Sequence, residues 1–448
     1  MTAWRASNAT RRARKKKMTM TNNEFRIKRI DLEPIKILFS FWLMLIATPG
    51  FSAKLDVRAD ASFYSWRPSG DEAKAINQLT QDVRIRLQRI LESDLSLRLN
   101  LSNRTFLNGT ASHIRVREAY IDWQNPLPKM AFKIGRYYPL IGSSTGMLDG
   151  LDLNVRASSN LLLGGFVGLA PEYYRPYGKT HFDHFRAGAG FLYNNLPKFR
   201  LESYVAYELY KGKTYGQTLG FSGYISPISR LTSYNYAKID LHHRKLSSFI
   251  VHAEYELTSI LSVFSEYSYR APLIGPIRDT QVARSDYNRP KGRSALFRLP
   301  VYREMSFGVD LRVLSAFSLR AEGGRDITWG REASIGAFRL TSFDFLRTGF
   351  DVFVGYRIRN RKDSMRRIYS GTISRSIGKK LVIEGNSSHI QYQFTKSLNE
   401  YHTQIVGFNA IYRLLHNIDI SLDIEGTRHG KDFSDIRIFT NVGYATGL

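Results

Sequence analysis

From Lys54 onward the chain alternates. Leu55, Val57, Ala59, Ala61 and Phe63 are interleaved with Asp56, Arg58, Asp60, Ser62 and Tyr64, and a strand points such successive side chains to opposite faces. Val83, Ile85 and Leu87 then alternate with Asp82, Arg84, Arg86 and Gln88; past Glu92-Ser93-Asp94, Leu95, Leu97, Leu99 and Leu101 alternate with Ser96, Arg98 and Asn100. The two runs predict an antiparallel hairpin with a short turn. The same pattern returns at Phe199–Leu209, Phe249–Leu257, Met305–Val313, Phe350–Ile358 and Ile418–Ile424. Segments of about ten residues, apolar on one side and polar on the other, are the signature of a transmembrane β-barrel. The predicted fold is therefore all-β: an antiparallel up-and-down barrel of about 18–22 strands, the number even because hairpins close in pairs.

Register follows from the same pattern. An Arg facing lipid at the bilayer midplane costs roughly 2–4 kcal/mol, so slipping the Arg84/Arg86 strand by one residue would cost on the order of 4–8 kcal/mol. The longer interruptions fall at 65–79, 138–147, 171–183 and 271–301. The last carries Pro272, Gly275, Pro276, Pro290, Gly292 and Pro300, which break strands, and Arg278, Arg284, Arg289, Lys291, Arg293 and Arg298 against Asp279 and Asp286. It reads as a basic extracellular lid or a segment folded into a pore.

Ahead of the barrel region lies Ile37 to Ala47, ILFSFWLMLIA, behind a basic leader. It is shorter than the about 17–25 apolar residues of a spanning helix and matches the apolar core of a secretory signal. Residues 1–53 are read as leader and signal peptide, with cleavage after Ser52 or Ala53, and 54–448 as the barrel. Residues 1–17 look like an upstream extension, with Met18 or Met20 as alternative starts. The leader holds a net +8 of the chain's +26, so the mature part keeps +18 and stays strongly basic. The absence of cysteine excludes disulfides, thiolate metal sites and thiol nucleophiles. No linker or change of period divides residues 54–448, and 13% aromatic content suits a barrel with rings at its lipid–water borders.

Three stretches carry a resemblance. Arg117-Glu118-Ala119-Tyr120-Ile121-Asp122, followed by Lys133-Ile134-Gly135-Arg136-Tyr137 and Gly150-Leu151-Asp152-Leu153, resembles the early strands of Gram-negative outer-membrane porins. The resemblance implies a water-filled channel, often a homotrimer, narrowed by an inward-folded loop. At Arg117 and Glu118 the apolar phase changes, from Ile114 and Val116 to Ala119, Ile121 and Trp123, and a bulge there would reconcile the phases. The chain departs from the family at its end, Gly443-Tyr444-Ala445-Thr446-Gly447-Leu448, where such barrels commonly finish on an aromatic residue.

The candidate chemistry is a lined pore. Alternation turns Arg84, Arg86, Arg98, Arg115 and Arg200 inward; Arg117, Arg136 and Arg156 stand less clearly in phase, and Arg136 is taken with the pore lining. Guanidinium groups are always protonated, and a confined row of them enriches anions. The alternative is that they pair with Asp82, Glu118 or Glu202 to brace the wall. The second half offers opposite charge in Glu254, Glu256, Asp310, Asp419, Asp423 and Glu425, with His252 beside the first two; an acidic wall facing a basic one sets a field across the lumen. Asp419, Asp423 and Glu425 also admit a calcium reading, disfavoured by their in-line spacing.

Enzyme readings are weak: the ten histidines form no family motif, and no Gly-rich phosphate loop joins a strand to a helix. Basic residues spread at strand spacing rather than on one recognition element, which argues against nucleic acid. The expectation is passive diffusion of small hydrophilic solutes, anions favoured, across the outer membrane of a Gram-negative-type bacterium. No cofactor is expected, and outer-membrane lipid and lipopolysaccharide are the expected surroundings. The rival is a non-channel barrel acting as receptor, adhesin or assembly scaffold.

Overall fold

The computed structural model describes residues 54–67, 76–90, 93–107, 112–171, 180–195, 198–271, 301–314, 316–328, 330–395, 400–415, 417–430 and 433–447. All lie in the second of two compact units, Ser52–Leu448. The signal segment, its cleavage sites and nearly all of the basic 271–301 stretch fall outside the described residues.

Among the described residues there are 22 strands. The first eight are β1 (Lys54–Arg67), β2 (Ile76–Gln88), β3 (Leu95–Phe106), β4 (Ser112–Gln124), β5 (Met130–Tyr137), β6 (Leu148–Arg156), β7 (Leu161–Pro171) and β8 (Thr180–Asn195). The next seven are β9 (Phe199–Tyr210), β10 (Lys213–Ile228), β11 (Leu231–Asp240), β12 (Lys245–Glu256), β13 (Leu261–Arg270), β14 (Tyr302–Leu314) and β15 (Phe317–Thr328). The last seven are β16 (Arg331–Ser342), β17 (Phe350–Arg361), β18 (Ser364–Ile377), β19 (Leu381–Phe394), β20 (Glu400–Leu415), β21 (Ile418–His429) and β22 (Phe433–Gly447). Each pairs antiparallel with the next in sequence. β1 also pairs with β22, from Asp56 opposite Gly447 to Arg67 opposite Ile436, so the sheet closes and leaves no edge. Among the described residues no helix is long and apolar enough to cross a membrane.

Closure assigns every row to one of two faces. Ile121, Ile134, Leu151, Val167 and Val205 occupy one set of rows, and the same face continues through Phe307, Val354 and Val406. These side chains are solvent-exposed in the isolated chain, Ile134 at 58% and Val406 at 60%. The alternate rows hold Arg84, Asp82, Glu202, Glu208, Asp310 and Arg357. Only the first face can meet hydrocarbon without stranding charge, so the second is the lumen.

Between β3 and β4 the register shifts: Asn100 faces Glu118, then Leu101 faces Val116, and Arg117 stands unopposed. This is the bulge that the phase change predicts. Three residues along β4, opposite Tyr120, Gly135 of β5 holds φ +126°, and a Cβ there would sit 2.2 Å from the Ala119 carbonyl oxygen. The glycine of the Lys133–Tyr137 stretch is thus required by backbone approach beside a bulge.

The longer connections, 68–75, 138–147, 172–179 and 271–301, all join strands at one end of the barrel, the loop end; the opposite end, where β1 begins, is the turn end.

A charged lumen with an inward loop

Four predicted basic residues converge on one wall. Arg84 pairs across the sheet with Arg58 and Asn100, Arg86 with Asp56 and Arg98, and Arg115 lies opposite Ser102, all on lumenal rows of β1 to β4. Some of these groups brace the wall. Arg98 Nε lies 2.9 Å from Glu118 and its Nη1 donates to the Tyr120 hydroxyl at 3.4 Å; the unopposed Arg117 reaches Asp82 at 3.4 Å and Ser102 at 3.2 Å. Arg84 is exposed and has no ion-pair partner among the described residues. Arg86 is also exposed, and the Gln88 amide oxygen, turned toward it, accepts at 2.7 and 2.9 Å.

Arg200 and Arg136 do not join this group. Arg200 is on a lumenal row of β9 near the turn end, opposite Asn194 and Tyr224. Arg136 falls in the row of Ala119 and Asp149, next to Gly135, and is largely buried. Its Nε and Nη2 each donate to Asp149 at 2.6 Å, and Nη1 donates to the Val116 carbonyl at 3.1 Å, which ties the bulge to β6. Its geometry is that of a structural clamp.

The connection 138–147 folds onto the lumenal side of β6 to β10. Two backbone N–H groups anchor it: Leu140 donates to Asp152 at 3.0 Å and Gly142 to Glu202 at 2.8 Å. Ser144 and Tyr204 share a hydroxyl–hydroxyl hydrogen bond. Asp152 is only 1% exposed, and its other oxygen accepts from Asn154 at 2.9 Å, so the buried carboxylate is satisfied on both sides. Ile141 is the apolar pin, buried with Tyr137, Leu148, Phe166, Tyr204 and Ala206. It fits because the wall beneath it is glycine: a Cβ at Gly164 or at Gly190 would come within 2.8 Å of Ile141. The exposed Ser143 and Ser144, in a single 3-10 turn, remain toward the channel.

The predicted acidic residues all occupy lumenal rows, in two groups. Glu254, Glu256 and Asp310 lie on β12 and β14 around Ser262, whose hydroxyl donates to Glu254 at 3.0 Å. His252, on the same strand, is 3.3 Å from Glu266. Asp419, Asp423 and Glu425 line β21; Asp419 pairs with Arg413 at 3.2 Å and Glu425 with Arg437 at 2.9 Å. Among the described residues no group of three or more His, Asp or Glu is placed to hold a metal ion.

A second arginine wall was missed in the sequence. Arg320, Arg339, Arg357, Arg359, Arg361 and Arg366 share lumenal rows of β15 to β18. Asp326 bonds Arg359 and lies 3.9 Å from Arg361. Three of the guanidiniums rest on rings, Arg320 over Phe264 at 3.9 Å, Arg366 over Tyr392 at 5.3 Å and Arg339 over Phe353 at 5.5 Å, which holds them against the wall. The signal was present: Arg357, Arg359 and Arg361 alternate with Tyr356, Ile358 and Asn360, so the apolar row of β17 already implied a basic one behind it.

No protein-family model matches the chain, and no curated protein does. Solved structures do. Pseudomonas aeruginosa OpdQ is 10% identical over 89% of this chain and 99% of its own, with a TM-score of 0.44. The outer membrane protein opdK from Pseudomonas aeruginosa is 10% identical over the same shares, at 0.43. Acinetobacter baumannii OccAB4 is 10% identical over 89% and 98%, at 0.42. From its own strand pairing and its two faces, the chain is a closed, 22-stranded, outer-membrane-type β-barrel.

Proposed function

We propose that this chain is an outer-membrane pore for passive diffusion of small hydrophilic solutes, with anions favoured. The observation that carries the reading is the excess of lumenal arginine over its partners. Arg84 is unpaired among the described residues, and Asp326 serves both Arg359 and Arg361. In a confined aqueous channel such guanidiniums raise the local concentration of anions and offer forked contacts to carboxylate or phosphate.

The charges are also arranged across the lumen. In a ring of 22 strands, β3 lies eleven strands from β14, so Arg84, Arg86 and Arg98 face the Glu254, Glu256 and Asp310 wall. A solute passing between them meets a field perpendicular to its path. The loop 138–147 narrows that path from the β6–β10 side, with the Ser143 and Ser144 hydroxyls as its polar surface.

The chain is exported by its signal, cleaved after Ser52 or Ala53, and assembled as a homotrimer. N-terminal sequencing of the mature protein and chemical cross-linking test these two points. The deciding measurement for the pore is conductance and reversal potential of the purified protein in a planar bilayer under a salt gradient. Steady channels with a reversal potential on the anion side support the reading; membranes that stay electrically silent at saturating protein would overturn it in favour of a receptor or scaffold.

A further inference from the structure

The outward face at the loop end is not uniform. On β2 to β12, outward positions near that end carry Asn77, Leu79, Gln81, Ile114, Leu169 and Phe185, with the Arg136–Asp149 ion pair among them. From β14 to β21 the same level carries arginine. Arg303 is the second residue of β14, Arg325 the fourth from the end of β15, Arg367 the fourth of β18 and Arg428 the last but one of β21. Three of them lie on rows with outward apolar neighbours, Arg303 with Ile327, Arg325 with Met305 and Arg367 with Ile358, while Arg428 lies opposite Gln404, in the row of His389. The outward acids at this level on these strands are Glu332 and Glu400. Glu332 pairs with Arg325 at 3.0 Å, and Glu400 takes the Gln391 amide at 3.2 Å and lies 3.5 Å from His402. Arg367 has no ion-pair or hydrogen-bond partner among the described residues, while Arg303 lies over the Tyr269 ring at 5.7 Å.

Just beneath Arg367 runs a belt of rings: Tyr356 to Tyr369 at 5.0 Å, Tyr369 to His389 at 6.2 Å, and His389 stacked on His402 at 5.4 Å. Below that belt the outward rows turn apolar, with Val354, Val406 and Phe408 exposed. This vertical order of cation, ring and aliphatic side chain matches that of a membrane lipid with an anionic headgroup, an interfacial layer and acyl chains.

We infer that the β14–β21 side of the barrel, at its loop end, binds the phosphorylated sugar headgroup of an outer-leaflet glycolipid, with Arg367 and Arg428 as phosphate contacts and Arg303 flanking them. Longer loops mark the outward-facing end of such barrels, and that leaflet supplies the phosphoglycolipid. Guanidinium forks fit phosphate oxygens, and a headgroup bearing two phosphates can engage two well-separated arginines where a monophosphate engages one. The inference rests on the outer-membrane reading and not on conduction, since none of these residues lines the lumen.

The test uses the full mature barrel in detergent and follows binding of bis-phosphorylated lipid A, monophosphorylated lipid A and phosphatidylglycerol by native mass spectrometry. Wild type should retain bis-phosphorylated lipid A in preference to the other two. Replacing Arg303, Arg367 and Arg428 together by Gln should weaken it by at least about tenfold, whereas Arg357→Gln with Arg359→Gln, inside the lumen, should leave it unchanged. Because the triple variant can fail to fold, a photo-crosslinking residue in place of Tyr369 supplies a second readout with all arginines present. It should label lipid A, and the same residue in place of Leu169, at the loop end of β7, should not. Equal retention of phosphatidylglycerol, equal binding by the folded triple variant, or labelling from both positions would each overturn the site. Bilayer conductance of the same preparations reports separately on the pore.

Discussion

Arg84, Arg86 and Arg98 crowd one lumenal wall with Asp56 and Glu118 as the nearest acids across the sheet or in contact. Converting all three to Gln should shift the reversal potential toward cations at about 0.1 M salt, where the Debye length is about 10 Å, and much less at 1 M, where it is about 3 Å. A reversal potential unmoved at low salt would assign these three to bracing and pass the selectivity to the Arg357–Arg366 wall. Gly135 makes a different kind of prediction. Its φ of +126° and the 2.2 Å approach of the Ala119 oxygen mean that Gly135→Ala should destabilise the barrel by about 1–3 kcal/mol or more. The loss should appear as a lower temperature for the unfolded band in gel-shift assays, and an unchanged temperature would show that the bulge absorbs the added carbon. At this scale the sequence was readable wherever polar and apolar residues alternate, as at Arg84, Arg98, Glu254 and Asp310. Arg136 is the exception: alternation from Ile134 puts it on the outward face beside Asp149, and nothing in its residue type tells a clamp from a pore-lining charge.

The connection 138–147 shows what an element needs beyond its own residues. In the sequence it is an interruption between two strands. Its inward course depends on Glu202, sixty residues away on β9, and on Gly164 and Gly190, which leave room for Ile141. The same packing explains why β7, LLLGGFVGLAP, lacks polar alternation: Leu162, Gly164 and Phe166 face the loop and not water, so both faces of the strand are apolar. Removing both carboxylate anchors with Asp152→Ala and Glu202→Ala should loosen the loop, and single-channel traces should then flicker between current levels where wild type holds one. A quiet trace in that variant would leave Ile141 as sufficient restraint. Gly190→Val tests the pin from the wall side and should displace the loop toward the lumen, lowering conductance. The bulge at Arg117, by contrast, was legible, because a phase change within one strand admits few other remedies.

Across the whole molecule, the predicted architecture of 18–22 antiparallel strands resolves to 22, and closure through β1 and β22 accounts for the consistent sorting of charge and apolar surface onto two faces. Deleting residues 433–448 should abolish heat-modifiable migration altogether, since the loss opens two edges at once; a shorter barrel that still shifts on heating would mean β21 can pair with β1 directly. The β1–β22 seam also governs the timing of folding. The first strand made waits for the last before its outer backbone groups find partners, so a chain emerging from synthesis has no intermediate length at which every strand is paired. Folding strand by strand during export would leave an adhesive edge at each step. Transit as an unfolded, escorted chain, with folding postponed until the final strand arrives at the membrane, follows from that single seam.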